Sequence, residues 1–499
     1  MRQFFIFHNF EFFLRLKLKK LFTYRLIIFF TFLSVSFLSG ACKSNSNEVE
    51  ESENKEQEEK KQEEITVENT GLPSVYLTVN DGSEFSDTET WKESLLKILN
   101  SEANMEYEKT ISAKGRGNSS FNMMGDKKAF SIKLNEKDSI LGMEKHKRWV
   151  LVPNASDKSL VRNLYAYYLG NEVFNTEWCP SFKSVNLYYN DRYWGVYILG
   201  EQIKINKNRV NIQDISDITE DLDGNGQLTL EDGGFIIEQN MQMDEAFNFT
   251  SKKGLTISLK DPDEVEDDVK TFVQAVVQKA EDVLFDDNIY TNKEEGYAKY
   301  LDVDSFVDWY LLSEFSKNPD SASHGSIYMY YNPVDRKIHM GPFWDFDLAF
   351  GNENFADSYK AEGSFIYVDS SNSAGESGNN PWGWWGGFGG MSMNTGHIWI
   401  NRLMSDPDFR QKVKNRWKEK KSQLYDSYQI VLPEMISSLE KAADYNFIKW
   451  DVLGKSVFTV GWQSYDAPGY QNRKTYKSEC DYLLNWINQR YEWMNAFLE

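Results

Sequence analysis

Asp345 and Asp347 stand two residues apart in Lys337–Gly351, KIHMGPFWDFDLAFG, flanked by Trp344, Phe346, Leu348 and Phe350. In extended chain, residues two apart point the same way, so both carboxylates are expected to project together from an apolar strand end. Carboxylates crowded among aromatics repel and desolvate each other unless a cation lies between them. A divalent metal supplies that cation, and Mg²⁺ or Mn²⁺ carrying a nucleotide phosphate is a common form. A surface turn with solvated acids is the plainer alternative, against which four large apolar neighbours weigh. A second acidic run, Asp221–Asp232 (DLDGNGQLTLED), fits a twelve-residue calcium loop. Asp221, Asp223 and Asn225 take positions one, three and five, Gly226 the turn at six, Gln227 position seven and Leu228 the apolar position eight; Asp232 closes the loop. Asp at the last position reaches less far than the usual Glu, so a weak Ca²⁺ site is expected, with an acidic insertion of accidental spacing as its rival. Cations come from Lys114–Ser120 (KGRGNSS), a Gly-punctuated turn bearing Arg116 without phosphate-loop spacing, and from Lys133. Phe130, Ile132 and Leu134 share one strand face and Lys133 takes the other, where a lysine is ordinarily solvated unless a phosphate sits there.

These residues need scaffolding. Ile338 and Met340 alternate with Lys337 and His339, as in a strand. A helix is predicted over Val303–Ser316, with Val303, Phe306, Val307, Tyr310 and Leu311 inward and Glu314 on the same stripe, where it needs a partner. Lys317-Asn318-Pro319-Asp320 breaks that helix, and Ile327–Tyr331 returns as a strand. Strands are also predicted at Ser74–Asn80, Ala129–Leu134, Trp149–Pro153 and Gly233–Glu238. Val185–Tyr189 and Tyr193–Leu199 flank Asn190-Asp191-Arg192 as a hairpin, and its second strand runs into Glu201-Gln202. Ser156 or Asp157 is expected to cap a helix reaching Gly170, with Lys158 and Arg162 facing water more readily than a cleft. Glu264–Phe285 reads as an acidic helix. Gly363–Gly396, rich in Gly, Ser and Trp, reads as a lid or substrate surface, and amphipathic helices follow from His397, the last at Tyr482–Phe497.

With 499 residues, 41% of them apolar and 15% aromatic, the chain can build a sizeable core. Its net charge of −21 argues against a nucleic-acid partner. Arg15, Lys17, Lys19, Lys20 and Arg25 precede an apolar run, Leu26–Leu38, too short to span a bilayer comfortably. Leu38-Ser39-Gly40-Ala41-Cys42 resembles a bacterial lipobox with Leu one place further from the Cys than usual. The expectation is therefore a signal peptide over 1–41, lipidation at Cys42, and an exported protein anchored to a membrane on the cell surface or its periplasmic face, an uncleaved signal anchor being the rival. Residues 42–71 read as an acidic disordered tether. Nothing in the sequence pairs Cys179 with Cys480, and the five His residues match no zinc motif.

Several long strings in the right order together resemble the CotH kinase-like family. They are KGRGNSS with the downstream Lys127-Lys128, Phe130 and Ile132-Lys133-Leu134, WVLVPNASDKSLVRN, VNLYYNDRYWGVYILGEQI, GGFIIE, VDSFVDWYLLSEFSKNPD and KIHMGPFWDFDLAFG. The resemblance implies an α+β, atypical protein-kinase-like two-lobed fold, with a mainly antiparallel β-rich N-terminal part and a helical C-terminal part. The kinase-like domain is placed at 72–417, with a helical region, 418–499, packed on it. The resemblance also implies ATP with a divalent metal and a protein Ser/Thr substrate. Asp320 matches the catalytic-loop acid and Asp345 and Asp347 the metal-binding acids. Lys133 is similar to the phosphate-contacting lysine, with Arg116 and Asn318 beside the nucleotide and Glu201-Gln202 at an adenine-side hinge. Glu314 is the one candidate partner for Lys133. Two other classes stay open: a pseudokinase or calcium-stabilised surface adhesin, which would survive the absence of ATP binding, and, ranked last, a glycoside hydrolase. The hydrolase needs carboxyls opposed across a cleft, which Asp345 and Asp347 cannot provide.

Overall fold

Apolar alternation in the first seven strands closes them into a barrel. They are β1 (Ser74–Val79), β2 (Lys92–Asn100), β3 (Met105–Arg116), β4 (Ala129–Asp138), β5 (His146–Val152), β6 (Phe182–Tyr189) and β7 (Arg192–Glu201). Their order is β1-β2-β3-β4-β5-β7-β6, antiparallel throughout except where β6 meets β1 in parallel. Closure leaves no free edge, and Val75, Leu77, Leu96, Ile98, Ile111, Ile132 and Trp149 fill the interior. Asn190 and Asp191 turn the β6–β7 hairpin with φ of +46° and +64°, a conformation their short polar side chains tolerate. Asn190 also accepts the Val79 N–H at 2.9 Å, tying the hairpin to β1.

The computed structural model describes residues 65–100, 105–117, 119–122, 125–174, 176–221, 229–322, 325–367, 397–460 and 463–499. The export signal, Cys42, most of the acidic tether, calcium-loop positions Asp223, Asn225 and Gln227, and most of the Trp-rich loop lie outside them. A second, antiparallel sheet has the order β12-β11-β8-β10-β9. Its strands are β8 (Phe235–Gln239), β9 (Asn248–Thr250), β10 (Thr256–Asp261), β11 (Ile327–Asn332) and β12 (Lys337–Met340). Helices α1 (Arg162–Tyr168), α2 (Asp267–Leu284), α3 (Val303–Ser316), α4 (Ile398–Leu403), α5 (Pro407–Asp426), α6 (Leu432–Lys449) and α7 (Tyr476–Leu498) pack around it, and one continuous core joins sheet and helices. The α+β class, with a β-rich N-terminal part and a helical C-terminal part, is as the sequence led one to expect. Residues 65–499 form one compact unit, and none of the described helices is long and apolar enough to cross a membrane.

Helix α3 has the bounds its apolar stripe predicts. Asp302 caps it by accepting the Ser305 N–H at 3.0 Å, and Lys317 ends it in a left-handed turn. Glu314 is fully buried, but its partner is not Lys133. It pairs with Arg490 of α7 at 2.6 Å and accepts the N–H groups of Phe365, Ile366 and Tyr367. Breaking such a pair leaves one charge buried alone. Arg490→Ala is therefore expected to cost about 3–5 kcal/mol, read as a lowered denaturant midpoint at unchanged slope. A loss below about 1 kcal/mol would show that the three backbone donors suffice for Glu314.

Lys158 and Arg162 also depart from expectation, being buried rather than facing water. Lys158 donates to the Lys455 carbonyl at 2.5 Å and lies 3.4 Å from Asp466. Arg162 pairs with Asp157 at 2.5 Å and donates to the Ala349 carbonyl at 3.1 Å. Cys179 and Cys480 are separate buried thiols.

Candidate active site

Strand β12 stops at Met340, and the acid-bearing segment beyond it is irregular rather than extended. Asp345 sits at φ +64°, so the two-residue strand periodicity does not bring the carboxylates together. Side chains from other elements hold this bend in place. The Asp345 N–H donates to the Tyr167 hydroxyl at 3.4 Å and the Phe346 N–H to Asn163 at 2.7 Å, both acceptors lying on α1. Asn318 donates to the Asp345 carbonyl at 2.9 Å, and Asn352 to the Asp347 carbonyl at 2.8 Å. Within this frame the Asp345 and Asp347 carboxyls hydrogen-bond each other. The Ser156 hydroxyl donates to Asp347 and the Ser326 hydroxyl to Asp345, the latter at 3.4 Å.

Asp320 opens the turn after α3, and its N–H donates to the side-chain oxygen of Asn318 at 3.3 Å. Asn318 thus couples the Asp320 turn to the Asp345 backbone. The three acids keep partial access to solvent, yet all are hard to ionise. Burial, then the Asp347 and Glu238 charges, raise Asp320 to about 7. Burial, then Asp320, raise Asp345 to about 6, against the pull of the Asp347 hydrogen bond and of Arg116. Burial, then Asp345, hold Asp347 well above the usual carboxylate range. The Arg116 guanidinium stacks over Trp344 at 4.8 Å, and its charge acts on Asp345.

Sequence reasoning missed Ser156, Ser326, Tyr167 and Glu238 as parts of the site. Glu238 accepts the Ser326 N–H at 3.0 Å and pairs with Lys260 at 3.0 Å. A carboxylate ending the apolar run Phe235–Ile237 was the available signal for it.

Other candidates fall elsewhere. Lys133 is exposed on the barrel's outer face, in register between Ser112 and Arg148, and among the described residues no hydrogen bond or ion pair ties it to the acids. The Glu201 carboxylate is taken by Arg209 and by the Ser181 N–H. Gln202 keeps a buried side-chain oxygen with no donor among the described residues. Asp232 caps a short turn by accepting the Thr229 N–H at 2.9 Å and lies 3.9 Å from Arg336, so its carboxylate is already engaged. The Asp221 side chain lies outside the described residues.

Among the described residues no group of three His, Cys, Asp or Glu side chains is arranged to hold a metal ion. An ion at Asp345 and Asp347 would therefore complete its shell with water or ligand oxygens, which suits Mg²⁺. Two carboxylates forced to share a proton fit such an ion, because it would neutralise both.

An α+β framework that gathers three carboxyls of raised pKa beside an arginine is an acid-centred site of the kind phosphotransferases use. The chain belongs to the CotH kinase family: the family model described as CotH kinase protein matches residues 113–494. Membership points to a kinase-like transferase, and such a transferase in general uses ATP and a divalent metal. No curated protein matches the chain.

Proposed function

We propose that the chain is an atypical protein kinase of two-lobed, kinase-like design that passes the γ-phosphate of ATP to protein Ser/Thr hydroxyls. The observation that carries this reading is the Asp320–Asp345–Asp347 cluster, whose members are too crowded to ionise freely without a cation. Asp345 and Asp347 would hold Mg²⁺ or Mn²⁺, which when bound neutralises phosphate charge. Arg116 adds a fixed positive charge beside them. Asp320, raised to about 7, is poised near neutral pH to accept the proton of an attacking hydroxyl. Gln202 offers a buried acceptor suited to an amino group such as adenine carries. The sequence features at Arg15–Cys42 support export and lipid anchoring, which would place the protein substrate outside the cytoplasm.

Incubation of the purified chain with γ-labelled ATP and Mg²⁺ or Mn²⁺ tests the proposal, with label on the protein's own Ser or Thr, or on an added protein, as the expected result. The placement of Lys133 favours a second reading. A kinase lysine is expected at the phosphates, whereas this one lies on the barrel's outer face with no tie to the acids. Metal-dependent ATP binding without transfer to any hydroxyl would establish that pseudokinase reading instead.

A further inference from the structure

Residues 358–367 belong to no helix or strand, yet side chains from α7 and from the end of α3 take up their backbone polar groups. The Lys317 amino group, on a residue 3% exposed, donates to the carbonyls of Asp357 at 3.4 Å, Lys360 at 2.9 Å and Glu362 at 2.8 Å. Its Nζ also lies 5.5 Å from the centre of the Phe365 ring. Trp486 of α7 donates to the Tyr359 carbonyl at 2.8 Å, and Arg490 to the carbonyls of Ala361 at 2.8 Å and Gly363 at 2.7 Å. Glu314 accepts the N–H groups of Phe365, Ile366 and Tyr367 that follow. A segment held at so many points is a fixed wall, and it fixes Lys317 in turn. Three acceptors converge on one nitrogen, matching the three donors of a lysine.

Lys317 itself stands at φ +44° and ψ +47°, the left-handed conformation in which helices ordinarily place glycine. A side chain there carries a steric penalty, and such a conformation persists where its surroundings over-determine it. The carbonyl cradle does so. The turn that begins at Lys317 leads directly into Asn318, Pro319 and Asp320. Burial and the charges of Asp347 and Glu238 act on the Asp320 carboxyl, but among the described residues no hydrogen-bond donor holds it. Its aim is therefore set by its backbone. The Asp345 bend, by contrast, is held by Tyr167 and Asn163 as well as by Asn318.

We propose that Lys317 is a positioning residue for phosphoryl transfer: its anchorage to the carbonyls of Asp357, Lys360 and Glu362 fixes the left-handed turn that aims Asp320 at the attacking hydroxyl. The assignment rests on the phosphotransfer reading above. A turn released from its anchor lets the Asp320 carboxylate swing, while the metal-binding pair keeps its own supports. The cost of losing the anchor therefore falls on transfer rather than on nucleotide binding.

Lys317→Gly in the full chain tests the assignment, because glycine keeps the left-handed turn without penalty and loses the anchor. Single-turnover transfer from γ-labelled ATP with Mg²⁺, onto the hydroxyls that wild type labels, should slow roughly tenfold or more. The Kd for Mg²⁺-ATP should stay within about threefold of wild type. Ethylammonium entering the space left by the side chain should restore most of the lost rate, and tetramethylammonium, with no N–H to donate, should restore none. If Lys317→Gly does not fold, Lys317→Met, which keeps an unbranched stem and loses the amino group, should show the same split between rate and affinity. A wild type that transfers no phosphate removes the reaction, and the assignment with it. Transfer at the wild-type rate by the folded variant overturns the assignment alone and leaves the kinase reading standing. An ATP affinity that falls in step with the rate, or a rate that ethylammonium does not recover, also overturns it, since either marks a loss of general packing rather than of aim.

Discussion

Asp345→Asn combined with Asp347→Asn is expected to weaken metal-dependent ATP binding by about 100-fold or more while raising the melting temperature of the ligand-free chain. Both effects follow from the same crowding. In wild type the two carboxyls share a hydrogen bond in a partly desolvated bend, Asp345 at about 6 and Asp347 well above its usual range. The folded state therefore keeps protons that the unfolded chain releases near pH 4. These protons favour folding below about pH 4, and the benefit is lost as pH rises through about 6, where a charge must be buried. The double variant lacks that loss. Its stability advantage should be small at pH 4 and reach on the order of 1–2 kcal/mol above pH 7, less than a simple sum because the carboxyls titrate as a coupled pair. Added Mg²⁺ with ATP should stabilise wild type and leave the variant unmoved. Thermal melts across pH, with and without Mg²⁺-ATP, read both effects. Unchanged ATP affinity in the folded variant would remove these acids from the metal site.

What could be read from the chain beforehand follows the range of the forces involved. Helix α3 was legible to the residue, because its stripe, its Asp302 cap and the Lys317-Asn318-Pro319 break are all local. The β6–β7 hairpin was legible because Asn190 and Asp191 name their own turn. The proximity of Asp345 to Asp347 was anticipated, but for the wrong reason. A strand end was expected, whereas the bend is imposed by Tyr167, Asn163 and Asn318, between 27 and 183 residues away in sequence. The same limit hid Arg490 as the partner of Glu314, 176 residues on. It also hid the burial of Lys158 and Arg162, which surface statistics assign to water until Asp466 and Asp157 are seen beside them. For Lys133, alternation put it on the face opposite Phe130 and Ile132, where it lies exposed, while the phosphate contact expected of it came from the family resemblance.

Asp320→Asn separates a transferase from a nucleotide-binding scaffold. Asp320 is held by the Asn318 turn rather than by the acid pair, so its amide replacement should leave ATP affinity near wild type. The phosphorylation rate should fall about 10²-fold or more, because the lost step is proton acceptance from the attacking hydroxyl. The pH profile makes the assignment specific. Burial, Asp347 and Glu238 raise Asp320 to about 7, and only its deprotonated form accepts a proton. The wild-type single-turnover rate should therefore climb about tenfold per pH unit below that value and level off above it. Bound divalent charge moves the midpoint down. Glu238→Gln removes one of the charges that raise Asp320, and should move the midpoint further to acid. Asp320→Asn should lack this rise altogether. Equal rates in wild type and Asp320→Asn, or a midpoint indifferent to Glu238→Gln, would assign the proton to another group and leave Asp320 as a turn residue held by Asn318.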